Sequence, residues 1–139
     1  TRTSMRTLNT DTIIAILLLL FCGLLAWSPL SRGILSGKYL DGARPPGTRI
    51  AMETRPEHRL TPQCDMAVKA YIAVAEKHGL NVCQMALAFV NRQPFVTANI
   101  IGATTMAQLK TNIASIDIEL SQEVLDDIHA VYHDWPMPY

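Results

Sequence analysis

The sequence has no excess of either charge: twelve Lys and Arg stand against twelve Asp and Glu, a formal net charge of zero at pH 7. That balance removes the electrostatic footprint of a nucleic-acid binder, so nucleic acid is not expected as a partner. Cysteine is scarce as well. Cys22, Cys64 and Cys83 are odd in number and show no CxxC spacing. They suggest neither a disulfide framework nor a structural zinc site, and a reducing, cytoplasmic compartment fits best. Apolar residues are not lacking. They make up 49% of 139 residues, enough for the core of one ordinary domain.

The first residues do not look like the rest. TRTSMRTLNTDT is polar, with Arg2 and Arg6, and it leads into an uncharged apolar stretch from Ile13 to Trp27. A membrane span needs roughly 20 apolar residues, which this stretch approaches only if it is extended through Leu30. A basic segment before a short apolar core also describes a signal peptide, but no small-x-small cleavage site follows. The third reading is a fusion of a foreign apolar run with a buried strand, Leu24 to Ser28. Helix, anchor and junction product remain open for Ile13 to Phe21. The boundary is therefore drawn between an atypical extension, 1–23, and a domain, 24–139.

Beyond Leu30 the organisation is clearer. Gly33, Gly37, Gly42, Pro45, Pro46 and Gly47 punctuate a long loop with little room for regular structure, and such loops are usually functional. Arg49 to Arg59 is charged and expected to be exposed. Thr61-Pro62 then opens a helix that runs to about His78, with Ala67, Ala70, Tyr71, Val74 and Ala75 on its apolar face and Gly79 as the stop. A second helix, 82–91, places Val82, Met85, Ala86, Phe89 and Val90 on one face. Phe95 to Ile101 reads as a buried strand and Met106 to Ile113 as a helix. Ser121 caps a last helix with Val124, Leu125, Ile128 and Val131 inward. Strands separated by helical segments imply an α/β fold with parallel pairing.

The corner at NIIGATTMAQLKTNI is the most informative stretch. A helix N-terminus leaves its first N–H groups unpartnered and carries the positive end of the dipole, so it favours an anion such as phosphate. Gly102 removes a Cβ from that approach, while Thr104, Gln108 and Asn112 are four apart and share a helix face. The bland alternative is an ordinary N-cap at Thr104 or Thr105, with Gln108 and Asn112 as solvated surface amides.

The segments AWSPLSRGILSGKY and IIGATTMAQLKTNI, with AYIAVAEKHGLNVCQMALAFVNRQPFV between them, resemble the nucleotide-binding half of aldo-keto reductases and their Tas-like bacterial branch. The resemblance runs from about Leu24 to the C-terminus and leaves out 1–23. It implies part of a (β/α)8 TIM barrel, in which the dinucleotide sits at the C-terminal ends of the strands and loops after the seventh and eighth strands hold the phosphates. Leu24 to Ser28 then correspond to the seventh strand and Phe95 to Ile101 to the eighth. The implied cofactor is NADPH. Ser28, Leu30, Gly33 and Lys38 match positions around the pyrophosphate and its ribose, and Arg49 matches a position at the 2′-phosphate. Gly102, Thr104, Gln108 and Asn112 match the adenosine end. Thr111 departs from the family, which often has an acid there.

The family reduces a carbonyl by hydride transfer, with a tyrosine acid supported by a lysine, an aspartate and a histidine on earlier strands. Tyr39, Tyr71, Tyr132 and Tyr139 match none of those positions, so no catalytic residue is assigned. The expectation is a truncated piece with a cofactor half-site, acting on a small carbonyl substrate only when completed by the missing half. Two strands cannot close a barrel and should leave apolar faces exposed. The rivals are a non-enzymatic nucleotide-sensing module, like potassium-channel β subunits, and a membrane-anchored remnant with Ile13 to Leu30 inserted. His129 and His133, at i and i+4, have zinc-binding spacing but no third ligand, and an exposed pair is preferred. Trp27 either stacks near a nicotinamide or fills core, and core is preferred.

Overall fold

A computed structural model describes residues 9, 10, 14, 23–54 and 57–138. The Ile13 to Phe21 readings fall outside these residues apart from Ile14. Two strands, β1 (Leu24–Trp27) and β2 (Val96–Ile100), form a parallel pair. Leu25 stands opposite Ala98, Ala26 opposite Asn99 and Trp27 opposite Ile100. Helices fill the interval and the C-terminal part. These are a single turn, α1 (Arg49–Met52), then α2 (Pro62–Lys77), α3 (Val82–Asn91), α4 (Met106–Ile113) and α5 (Gln122–Asp134).

The helix ends are set by local chemistry. Thr61 Oγ1 accepts from the backbone N–H of Cys64 at 3.0 Å, with Pro62 at the first helical position. His78 closes α2, and Gly79 follows at φ 65°. Asn81 Oδ1 accepts from the N–H groups of Cys83 and Gln84 at 2.9 and 3.2 Å, and Ser121 Oγ from that of Val124 at 3.4 Å. All four expected inward residues of α5 are buried.

The core lies in two clusters on one side of the sheet. Val74 and Ala75 of α2, Met85 of α3 and Val124, Ile128 and Val131 of α5 form the first. Ile34, Tyr39, Ile50, Cys64 and Val68 form the second, which pins the long loop to α2. Helix α3 departs from the one-faced pattern: Leu87 and Ala88 are buried beside Met85, because α3 packs against β2 and α4 as well as α2. Its Val82, Phe89 and Val90 are only half-buried.

The sequence predicts two buried strands, and the structure corrects this. Leu25 is 60% exposed, Trp27 74% and Phe95 62%. Helices cover one face of the pair, and among the described residues nothing covers the other. Trp27 is therefore not core. The long loop also carries more order than expected, with 3₁₀ turns at Ser31–Ser36 and Leu40–Gly42. The charged segment after it is not simply exposed, because Ile50 and Glu57 are buried. Among the described residues no helix is long and apolar enough to cross a membrane, and Leu24 to Leu30 form a strand and turn rather than the end of a span.

Leu87→Ala is expected to destabilise the chain by about 2–5 kcal/mol, the usual cost of emptying a packed leucine site. Leu25→Ala should stay within about 0.5 kcal/mol, as for other surface changes. Urea unfolding midpoints check both, and equal losses would show that the bare sheet face is covered in solution.

Candidate functional site

Parallel pairing puts the exits of β1 and β2 at the same edge of the sheet, so the loop after Trp27 and the corner after Ile100 are neighbours. Between them lies an open cleft of about 490 Å³. All nine sequence-predicted site residues line it: Ser28, Leu30, Gly33, Lys38 and Arg49 on one side, Gly102, Thr104, Gln108 and Asn112 on the other. Trp27 lines it too, where the sequence reading had weighed a place near a cofactor but preferred core, and so do Arg32, Met52, Cys83 and Ile100, which that reading had not raised. Ile100 could have been found from strand register, since it is paired with Trp27 at the last position before the two exits.

The loop after β1 is tightly wound. Ser28, Ser31 and Arg32 adopt left-handed backbone angles, with φ of 58°, 47° and 61°. Each costs about 1–2 kcal/mol relative to the right-handed conformation. Reverse turns close it through Ser31 N–H to Ser28 O at 2.8 Å and Gly33 N–H to Leu30 O at 2.9 Å. Gly33, at φ 92°, lets the Lys38 side chain lie over its backbone, where a Cβ would stand 3.0 Å from Nζ. The ammonium is 5.2 Å from the centre of the Tyr39 ring. Tyr39 is itself buried, and its hydroxyl accepts from the Ile50 N–H at 3.4 Å.

An ion-pair chain ties this loop to the segment that follows. Arg32 donates to Glu57 Oε2 at 2.8 Å and pairs with Glu53, and Glu53 Oε1 is also 3.5 Å from Arg49 Nε. Arg59 Nε reaches Glu57 Oε1 at 2.9 Å. The Glu57 side chain is 1% exposed, which is tolerable because two guanidiniums satisfy its oxygens. Hydrogen bonding from Arg59, opposed by desolvation and aided by the Arg59 and Arg32 charges, holds its carboxyl below the ordinary value of 4.5.

The corner after β2 is a capped helix start. Thr105 is the N-cap, its Oγ1 accepting from the Gln108 N–H at 3.2 Å. Gln108 Oε1 reaches back to the Thr104 N–H and hydroxyl, each at 3.0 Å. This is a capping box displaced by one residue. Thr104 therefore precedes α4 rather than lying on its face, and Gln108 is exposed. Asn112 is not a solvated amide: it is 6% exposed, with Nδ2 3.4 Å from Gly102 O. Among the described residues, no atom beyond the two chain neighbours lies within 4 Å of where a Gly102 Cβ would stand. Burial pushes the Cys83 thiol up against the opposing pull of the Lys38 charge, so it is a neutral wall at pH 7.

Among the described residues, the other groups with metal-ligand chemistry are engaged elsewhere or exposed. His129 is edge-on to Phe89 with ring centres 6.2 Å apart, and His133 is 90% exposed beside Asp134. A cluster the sequence reading missed brings His78, Glu123 and Asp127 together across α2 and α5. Lys77 occupies it, 2.7 Å from Asp127 and 3.5 Å from Glu123, so it reads as an inter-helix ion pair.

Residues 5–133 match the sequence model described as the Aldo/keto reductase family. That match begins within the 1–23 segment that the sequence resemblance left out. The chain is 51% identical over 115 residues to Protein tas of Escherichia coli (strain K12), covering 83% of this chain and 33% of that protein. It is 34% identical over 119 residues to a probable voltage-gated potassium channel subunit beta of Arabidopsis thaliana, with 82% and 36% covered. Against L-glyceraldehyde 3-phosphate reductase of Escherichia coli (strain K12) identity is 32% over 102 residues, with 68% and 29% covered. The chain thus spans about a third of the length of these curated relatives.

Because the Glu57 carboxyl is held below 4.5, its ion pairs contribute stability that is fully present above that value and lost as pH falls through the lowered folded value. Glu57→Gln should flatten this acid limb. Urea midpoints measured between about pH 6 and 3 check the effect, and parallel pH profiles for the two chains would contradict it.

Proposed function

The chain belongs to the aldo/keto reductase family, and we propose that it forms the dinucleotide-holding part of an NADPH-dependent oxidoreductase that reduces aldehydes or ketones. The family fold is a (β/α)8 barrel, and two parallel strands with helices packed on one side are consistent with part of one. The observation that carries the reading is the convergence of all nine candidate residues on one cleft at the strand exits. Its volume is within the range of about 300–1,000 Å³ usual for ligand sites.

The lining has the chemistry a dinucleotide needs. Lys38 has no carboxylate partner among the described residues and offers a point charge to the pyrophosphate. The wound loop from Ser28 to Gly33 and the start of α4 bound the cleft on either side. Trp27, Ile100 and Met52 provide apolar surface for rings, while Arg49 stands at the end assigned to the 2′-phosphate. When bound, the nicotinamide cofactor supplies the hydride for carbonyl reduction. The role of this chain's residues is to hold and orient it. Tyr39, Tyr71 and Tyr132 do not line the cleft, so the proton donor is assigned to none of them.

Two measurements test the reading. In a Trp135→Phe background, NADPH should quench Trp27 with saturation at millimolar cofactor or below. Gly102→Val should weaken that binding by about tenfold, or about 1.4 kcal/mol. Its unfolding midpoint should not move, because among the described residues no atom beyond the chain neighbours lies within 4 Å of the new Cβ. Absence of quenching, or unchanged affinity in Gly102→Val, would contradict the assignment.

A further inference from the structure

We propose that the apolar run 13–21, IIAILLLLF, is the occupant of a groove on the helical side of the molecule, packed there as the helix that precedes β1. The groove has a volume of about 380 Å³ and is formed by α2, α3, α5 and the loop after β1. Val82, Ala86 and Val90 of α3 line it with Tyr71 of α2 and Tyr132 of α5, and Pro29 adjoins them. Among the described residues its lining contains no Lys, Arg, Asp or Glu, so it suits apolar side chains. Its size suits the side chains of one helix face.

Direction and length select this occupant. Cys83, at the start of α3, lines the cleft at the strand exits, whereas Phe95, just beyond the end of α3, accepts a hydrogen bond from the Leu24 N–H at 3.2 Å. Helix α3 therefore runs from the exit edge of the sheet to its entry edge, and the chain enters β1 beside the end of the groove marked by Val90. The α3 stretch 82–90 and the run 13–21 have the same number of residues, each about 12 Å long as a helix. Cys22 and Gly23 form the link to β1, a length usual for such connections. A helix laid back through that link lies along α3. The family match begins at residue 5, so the run falls inside it, and a (β/α)8 barrel places a helix before every strand after the first. Thr10 and Ile14 are helical, and Ile14 is 49% exposed. By helical period Leu18 shares the face of Ile14, while Ile16, Leu19 and Leu20 share the opposite face, the one offered to the groove.

The test is acrylamide quenching of a single tryptophan in the whole chain with Trp27→Phe and Trp135→Phe. Without lipid, the tryptophan of Leu19→Trp should be quenched several-fold less than that of Leu18→Trp, at any protein concentration. Ala86→Asp, which puts a charge in the groove wall, should remove that protection. Tyr132→Asp repeats the test at a residue 59% exposed, where a substitution leaves the core intact should Ala86→Asp fail to fold. Protection at Leu19→Trp alone, lost on charging the groove, supports the proposal. Equal quenching at the two positions, or protection that survives both groove substitutions, overturns it. Protection that develops only with phosphatidylcholine vesicles, or only as protein concentration rises, also overturns it and assigns the run to a membrane or to a second copy of the chain.

Discussion

The candidate cleft depends on the parallel pairing of Leu24–Trp27 with Val96–Ile100. An antiparallel pair would send the two exits to opposite edges of the sheet. Parallel pairing instead sets Trp27 beside Ile100, so two loops separated by α1, α2 and α3 begin as neighbours. The long crossover is the requirement for that arrangement, and α3 stabilises it by packing Leu87 and Ala88 on the sheet side while Met85 faces α2 and α5. The cleft is thus a consequence of strand direction.

The second requirement is to hold the first of those loops in a backbone it would not adopt alone. Three non-glycine residues with positive φ between Ser28 and Arg32 are too costly to persist without over-determination. The structure supplies it from two sides. Ile34 and Tyr39 are buried against α2, and Arg32 is clamped by Glu53 and Glu57. The carboxylates that fix the loop pair with Arg32 and Arg49, both of which line the cleft.

Much of this was legible in the sequence, for identifiable reasons. The caps at Thr61 and Ser121, the stop at Gly79 and the inward face of α5 follow from local chemistry that tertiary context did not override. The strand-Gly-Thr-Thr corner offered both an anion-friendly helix start and an ordinary cap, and Thr105 with Gln108 forms the cap. Burial was misread wherever it depends on the neighbour supplied by the fold. Leu25, Trp27 and Phe95 have the composition of buried strands but no covering layer among the described residues. Glu57 was invisible for the opposite reason. A glutamate among arginines in a charged run looks solvated until Arg32, far away in sequence, closes over it.

The central claim is that one dinucleotide bridges the exits of β1 and β2. Amide NMR of the isotope-labelled chain, titrated with NADP⁺, tests it most directly. The account predicts shifts in two sequence-distant groups at once, 28–38 and 102–112, with the α5 amides unmoved and both groups following one saturation curve. Shifts confined to one group, or spread over α5 and the exposed sheet face, would contradict a single bridging site.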